Sequence, residues 1–472
     1  MPSTLFSYLS IIATSILAVN ALPGLPDKIY GVNLGSWLLI EPWMLPTEWV
    51  SMGGERCDWD CSACIANEYN FAQAYPDTVD QKFKEHWQTW LTQDDVNTLK
   101  AAGINSVRIP LGYWIVEPLV NRTSEFHAKG GLLELRRGLK QLKDAGIPVV
   151  LDHHALPGVA SPNQMFAGRC TGDVQFYTPH NYHRALVWTA VMTALSHIHP
   201  DFSIVASIQA LNEPIMDANQ TPGLGEFNKN FAQTIRAVEI ALGIPVPGIS
   251  IGISANLASA ANVTVAVSQA ATLSSIFNPE VRQALKDAIP MILYAANQLG
   301  MNTIFGLDGL RNVLRKRQPL VVNFMNAQWQ YNNPSNPADG AIGPTAYDNH
   351  LYYSFGGVAD ANEEAYLKHL CNLNRIEEAA AIGNSPLWFG EWSLATQFAA
   401  TDDFLRKWAD AQKLMYGKGA GYFFWNFKIE EGTDTTRQWS YLEGLKRGYL
   451  TQDPSQFHDP HIRLKEEGGL IW

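Results

Sequence analysis

Eight short apolar segments recur along the chain, and amphipathic stretches of helical period separate most of them. Near-continuously apolar strands joined by helices belong to parallel sheets covered on both faces. Strands are read at residues 28–38, 106–112, 148–154, 204–211, 320–327, 347–353, 387–393 and 421–428. Helical period is read at 83–102, 132–145, 181–199, 226–242, 363–382 and 402–416, with a closing helix at 438–447. Gly103 and Gly146 supply stops for the first two helices. Eight strands alternating with helices predict an α/β fold, a (β/α)8 TIM barrel, in one domain spanning residues 22–472. A doubly wound sheet is the alternative, but no Gly-x-Gly-x-x-Gly or phosphate loop follows an early strand.

One segment breaks the alternation. Residues 243–318, between the fourth helix and the fifth strand, are too long for a connection. Ile244 to Pro279 holds no charged residue, and helical period returns at 281–297 and 307–317. The segment is read as an insertion of helical hairpins. It joins a helix to the next strand, so it is expected to leave from the face opposite an active site.

Residues 5–19 are apolar, and Val19-Asn20-Ala21 has the small residues of a cleavage site. A secretory signal peptide over 1–21 is expected, the run being short for a membrane anchor. Sequons at Asn121, Asn219 and Asn262 fit export. The formal charge of −11 argues against nucleic-acid or anionic-membrane partners. Five cysteines are present, Cys57, Cys61, Cys64, Cys170 and Cys371. The Cys-x3-Cys-x2-Cys spacing of the first three also occurs around iron–sulfur clusters, but an oxidising compartment favours a disulfide. Spacing leaves the pairing open, and the odd number leaves at least one cysteine free or paired between chains.

Most of the polar residues singled out lie at or just after a strand's C-terminal end, where barrel enzymes build their sites. Ala210-Leu211-Asn212-Glu213-Pro214 places a glutamate beyond the fourth strand, and Leu387-Trp388-Phe389-Gly390-Glu391-Trp392-Ser393 places another on the seventh. A lone Glu at a strand end is ordinarily an ion-pair partner. Two of them facing across a barrel can hydrolyse a glycosidic bond, one protonating the leaving oxygen and the other attacking the sugar or activating water.

With Arg108 in Val107-Arg108-Ile109-Pro110, His154, Asn212, His350 and Tyr352 in His-x-Tyr, and Trp425, these residues resemble the retaining glycoside hydrolases of family 5, clan A. The resemblance runs from about Ile29 to Tyr449 outside the insertion. It implies that Glu213 is the general acid/base and Glu391 the nucleophile; no cofactor is expected, and no metal, since no His/Asp spacing suits one. Arg108 and the Tyr352 hydroxyl would orient Glu391 and keep it ionised. The charge of Glu391 would keep Glu213 protonated until sugar attaches to Glu391. Asn212 would bond a sugar 2-hydroxyl, His154 and His350 other hydroxyls, and Trp425 would lie beneath the ring.

Within the family, Gly31-Val32-Asn33-Leu34-Gly35-Ser36-Trp37 followed by Glu41-Pro42-Trp43 resembles the fungal β-glucanases, with Glu41 on a substrate hydroxyl. Ser36, Trp43 and the Trp59-Asp60-Cys61 loop look more like the β-1,6-glucanases than the exo-β-1,3-glucanases. Two departures bear on linkage: the insertion, and Asp152-His153-His154-Ala155-Leu156-Pro157-Gly158 where the family has Asp-Leu-His-Gly-Ala-Pro-Gly. The expectation is a secreted, monomeric β-glucan hydrolase cleaving β-1,6-glucan internally. The alternatives are an exo-β-1,3-glucanase, a transglycosylase, or an inactive carbohydrate-binding barrel.

Overall fold

The computed structural model describes residues 22–57, 60–247, 260, 262–301 and 307–462. The expected signal peptide, Trp59 and parts of the insertion lie outside the described residues. Eight parallel strands close into a barrel in chain order: β1 Ile29–Asn33, β2 Ser106–Gly112, β3 Val149–Ala155, β4 Val205–Gln209, β5 Val321–Met325, β6 Thr345–His350, β7 Leu387–Trp392 and β8 Gly421–Phe424. The ring shuts where Ile29 pairs with Gly421. A Cβ on Gly421 would lie 2.1 Å from the Ile29 carbonyl oxygen, so only glycine permits the closure.

Two apolar layers position the site. Inside the barrel, Ile29, Val150, Val321, Ala346, Trp388 and Phe423 pack together, with Leu22 and Leu25 lying against them. Outside it, the strands' other faces meet the surrounding helices in the main core. The polar residues Asn33, Arg108, Asp152, Gln209, Asp348 and Glu391 are buried on the strands themselves. Alternation along a strand sends residues two apart to the same face. That is how Asp152 and His154 on β3, and Asp348 and His350 on β6, come to share one interior.

Three helix expectations need correction. Period alone joins 83–102 into one helix, but the chain forms Val79–Trp90 and Gln93–Ala101. Thr92 breaks it: its hydroxyl accepts from the Asp95 N–H, and the Asp95 carboxylate accepts from the Thr92 N–H, a reciprocal cap. The stretch 363–382 likewise forms Glu363–Cys371 and Arg375–Ala381. The closing helix is Thr436–Trp439 followed by Tyr441–Lys446. The loop read at 41–80 also holds short helices, Pro46–Met52 and Glu68–Ala74. The stops behave as read, with Gly103 at φ 68° and Gly146 at φ 77°.

The insertion leaves after helix Leu224–Leu242 and contributes helices Val263–Ala270, Pro279–Gln298 and Leu307–Leu314 before β5. The first two pack on one another and on the outer side of helices Pro179–Ile198 and Leu224–Leu242. His183 meets Asp287 at 2.9 Å, and the Tyr294 hydroxyl donates to Glu117 at 2.7 Å. Helix Pro179–Ile198 is buried continuously from Ala185 to Ile198 beneath this second layer.

Two disulfides join Cys57 to Cys64 and Cys61 to Cys170. Cys371 is unpaired. The cysteine-rich loop is thereby tied to the segment that follows β3.

Candidate active site

A cleft of about 970 Å³ opens at the C-terminal ends of the strands. Of the nine residues picked from sequence, Glu41, His154, Asn212, Glu213, His350, Tyr352, Glu391 and Trp425 line it. Arg108, the ninth, is fully buried beneath them.

Arg108 is the hub. It donates through Nη1 to Glu391 Oε1 at 2.8 Å and to Asn33 Oδ1 at 2.9 Å. Through Nη2 it donates to Asn212 Oδ1 at 2.8 Å, and through Nε to Gln209 at 2.9 Å. The Asp152 carboxylate lies 3.0 Å from Nη2. Burial disfavours this cation, but Asp152, Glu391 and Asp348 outweigh it and hold the guanidinium more firmly charged than usual. Those same carboxylates would be untenable in a dry interior without it.

Glu391 Oε2 accepts from the Tyr352 hydroxyl at 2.8 Å, so both its oxygens are fixed. Burial pushes its carboxyl upward, against the opposing pull of His350 and Arg108. Glu213 is held differently. It lies four residues past the end of β4, at φ 34°, a left-handed setting uncommon for a side chain of its size. Ser161 fixes that turn by donating its hydroxyl to the Glu213 carbonyl. The Glu213 carboxylate meets His350 Nδ1 at 2.7 Å. A carboxylate oxygen of Glu213, one of Glu391 and a His350 nitrogen all lie within 4.8 Å of one another. Such a trio could admit a cation, but its atoms are already engaged with one another and with Arg108 and Tyr352.

His350 is gripped from two sides, Nε2 lying 3.2 Å from Asp348 and Nδ1 3.6 Å from Glu391. Burial alone would lower it; Glu391, Asp348 and the bonds to Asp348 and Glu213 push it up to about 10. His154 turns Nδ1 to Asp152 and Nε2 to Asn212 Nδ2, 3.3 Å away, and stacks at 16° to Trp425. The adjacent His153 points elsewhere, stacked 4.0 Å from Trp188. Burial drops it to about 3, a neutral packing group.

Ser36 and Trp43 both act on Glu41. The Ser36 hydroxyl accepts from the Glu41 N–H at 2.9 Å and donates to its carbonyl at 3.1 Å. Trp43 Nε1 donates to Glu41 Oε2 at 2.9 Å. Burial pushes Glu41 up to about 7, with His154 and the Trp43 bond opposing. Trp43, Trp439, Tyr352 and Phe355 follow in edge and tilted contacts of 5.3–5.7 Å, a continuous aromatic wall ending at the 76% exposed Phe355. Across the cleft stand Phe166 against His154 and Trp329 against His350.

The sequence reading missed Asp348, Gln209, Asn33 and, of this wall, Phe355. Asp-x-His repeats on β3 and β6, and that repeat could have flagged Asp348. The wall comes from loops, whose placement no periodicity encodes.

A closed barrel with two glutamates meeting in an aromatic cleft at its strand ends is the architecture of a glycosidase. The chain belongs to glycosyl hydrolase family 5, whose cellulase model matches residues 68–431. It is similar to glucan endo-1,6-beta-glucosidase B of Emericella nidulans, 28% identical over 446 residues, covering 92% of this chain and 87% of that protein. A probable glucan endo-1,6-beta-glucosidase B of Aspergillus terreus is 26% identical, covering 93% of this chain and 90% of its own length. A glucan 1,3-beta-glucosidase of Blumeria graminis is 29% identical over 205 residues, 43% of this chain and 44% of that one. Among solved structures, rutinosidase from Aspergillus niger shares the fold, with TM-score 0.57 and 16% identity over 90% of this chain and 99% of that one.

Proposed function

We propose that the protein is a secreted, retaining endo-β-1,6-glucanase. The observation that carries the mechanism is that one oxygen of Glu213 and one of Glu391 lie within 4.8 Å of each other, on the short side where retaining pairs are found. Inverting enzymes need roughly 6.5–9.5 Å between their carboxyl groups to seat a water, and retaining ones about 5–5.5 Å. Glu391, oriented by Arg108 and Tyr352, attacks the anomeric carbon while Glu213 gives its proton to the departing oxygen. Water then enters, loses a proton to Glu213, and frees the sugar from Glu391, so the configuration at the anomeric carbon is restored. Asn212 and His154 face the ring hydroxyls, and Trp425 offers its face below.

Linkage rests on the two relatives named for β-1,6 cleavage and on Trp43 binding Glu41. An open cleft walled by aromatic side chains suits internal cleavage of a polymer. Two disulfides fit an oxidising destination and so support secretion. The relative named for 1,3-linkages favours a second reading, an exo-β-1,3-glucanase.

The test is chromatography of products from pustulan (β-1,6) and laminarin (β-1,3) with the purified mature protein. Oligosaccharides from pustulan alone support the proposal. Glucose from laminarin moves it to the second reading. No product from either sinks both. Proton NMR of the first product should show β-configuration; α would overturn the retaining mechanism.

A further inference from the structure

Asp348 touches neither of the cleft's edges. It is fully buried on β6, yet its oxygens reach a neighbour of each glutamate, the Gly390 backbone before Glu391 and the His350 ring that meets Glu213. One oxygen, Oδ1, accepts the backbone N–H of Gly390 at 2.6 Å. The other, Oδ2, faces His350 Nε2 at 3.2 Å and Arg108 Nε at 3.8 Å.

Gly390 is an irregular point in the barrel. Along β6 and β7, Asn349 pairs with Phe389, but the next residue, His350, pairs with Glu391 and skips Gly390. The β7–β8 ladder also shifts between Phe389 and Trp392. An extra residue in a strand bends it and re-aims the side chain that follows. Here that side chain is Glu391. The skipped residue has no ladder partner on β6, and its polar groups are satisfied otherwise: the N–H by Asp348, the carbonyl by Asn33 Nδ2 at 2.8 Å. A Cβ at position 390 would lie 2.2 Å from both Asp348 oxygens, so the carboxylate occupies the space a side chain would need.

On its other side Asp348 dictates what His350 offers. With Asp348 at Nε2 and Glu213 at Nδ1, the geometry lets the ring present an N–H to each, the Asp348 carboxylate accepting one and the unprotonated oxygen of the Glu213 carboxyl the other. The Nδ1–H then points at Glu213 Oε1, leaving Oε2 as the oxygen able to hand a proton to a leaving group. The charged groups around the ring agree. From β2 comes Arg108, bound also to Asp152 of β3, and from β7 comes Glu391. The Tyr352 hydroxyl is spent on Glu391, and Glu41 lies further along the cleft. From helix Arg375–Ala381, Arg375 donates to the Asn349 side chain and the His350 carbonyl, not to the ring.

We propose that Asp348 is the positioning residue of this site, holding the Glu391 bulge through Gly390 and the Glu213 proton geometry through His350. The inference rests on the hydrolase reading above for what the two glutamates do. Asp348→Asn separates charge from shape: the amide oxygen still accepts from Gly390, but no anion stands behind His350. Glu213 and Glu391 would then face a ring that sheds its proton readily.

The experiment is the pH profile of kcat/KM for Asp348→Asn on whichever β-glucan the wild type degrades. Both limbs should move to higher pH by about one unit, with kcat lowered roughly 10- to 100-fold and KM little changed. A stable variant with wild-type limbs and kcat would overturn the proposal. A second measurement needs neither turnover nor a folded Asp348→Asn. In the wild-type protein, the imidazole nitrogens of His350, assigned by their loss in His350→Gln, should remain doubly protonated from about pH 5 to about pH 8 by nitrogen NMR. Titration near the ordinary histidine range would overturn the proposal even if the protein proves to degrade glucan. Persistent protonation in a protein that degrades nothing would sustain the geometry and fail the hydrolase reading alone.

Discussion

Glu213 and Glu391 are held by opposite means, and their replacement should separate on substrate chemistry. Glu391 is locked by Arg108 and Tyr352, whereas Glu213 hangs on a left-handed turn with one oxygen given to His350. Glu213→Gln should lower kcat/KM on glucan by roughly 10²–10⁴-fold. It should cost far less on an aryl glucoside whose leaving group needs no proton, which initial-rate kinetics on the two substrates will read. A buried carboxyl outside the cleft gives a stability test. Glu68 is 1% exposed, its Oε1 accepts from the Ile40 N–H at 2.8 Å, and its Oε2 has no partner among the described residues. Burial pushes it up to about 8, against the bond from Ile40. A carboxyl raised on folding is protonated in both states at low pH. As pH climbs from the ordinary glutamate value to about 8, only the unfolded state ionises, and folded stability falls. Glu68→Gln has no such loss. Its Tm advantage over the wild type should therefore grow across that window and level off above it, as thermal unfolding at several pH values will show. Most of the residues picked from sequence were legible because they lie at or just past a strand end with an unmistakable neighbour, such as Asn before Glu213 and Gly before Glu391. Ser36 was visible but its job was not: a hydroxyl turned back on the Glu41 backbone can be read only once the turn is folded.

At the scale of elements, the strands were found where they stand because buried parallel strands are nearly all apolar. The helices were found as apolar period, which does not register a cap. Phe83, Trp87 and Leu91 form an apolar stripe up to the point where the chain stops and restarts at Thr92, and Val96 and Leu99 take it up on the other side. The signal was present in a different form, as Thr92-Gln93-Asp94-Asp95, a side-chain acceptor with an acid three residues on. Thr92→Ala removes the acceptor for the Asp95 N–H and should cost about 1 kcal/mol of stability by denaturant titration. Activity on glucan should be unchanged, because neither residue reaches the cleft.

At the scale of the whole molecule, the cleft's wall depends on covalent ties between distant parts of the chain. Cys61 and Cys170 are 109 residues apart, and Cys57 and Cys61 both line the cleft. Replacing Cys61 and Cys170 together with serine should lower unfolding stability by roughly 2–4 kcal/mol, through the freedom regained by so long a loop. Equilibrium denaturation of the double variant against the wild type will measure it. Length and alternation made the barrel readable, but not which cysteines meet, since pairing is decided by where loops pass in space. The insertion was readable as an interruption, and its resting place was not. In hindsight helix Pro179–Ile198 held the answer, because from Ala185 onward it is buried on every side. A barrel helix normally keeps one flank for water. This one has none to give, having surrendered its outer flank to Pro279–Gln298. Deleting residues 243–318 would lay that helix's apolar outer flank open to water, so a shortened barrel would need polar residues written onto it in the same stroke.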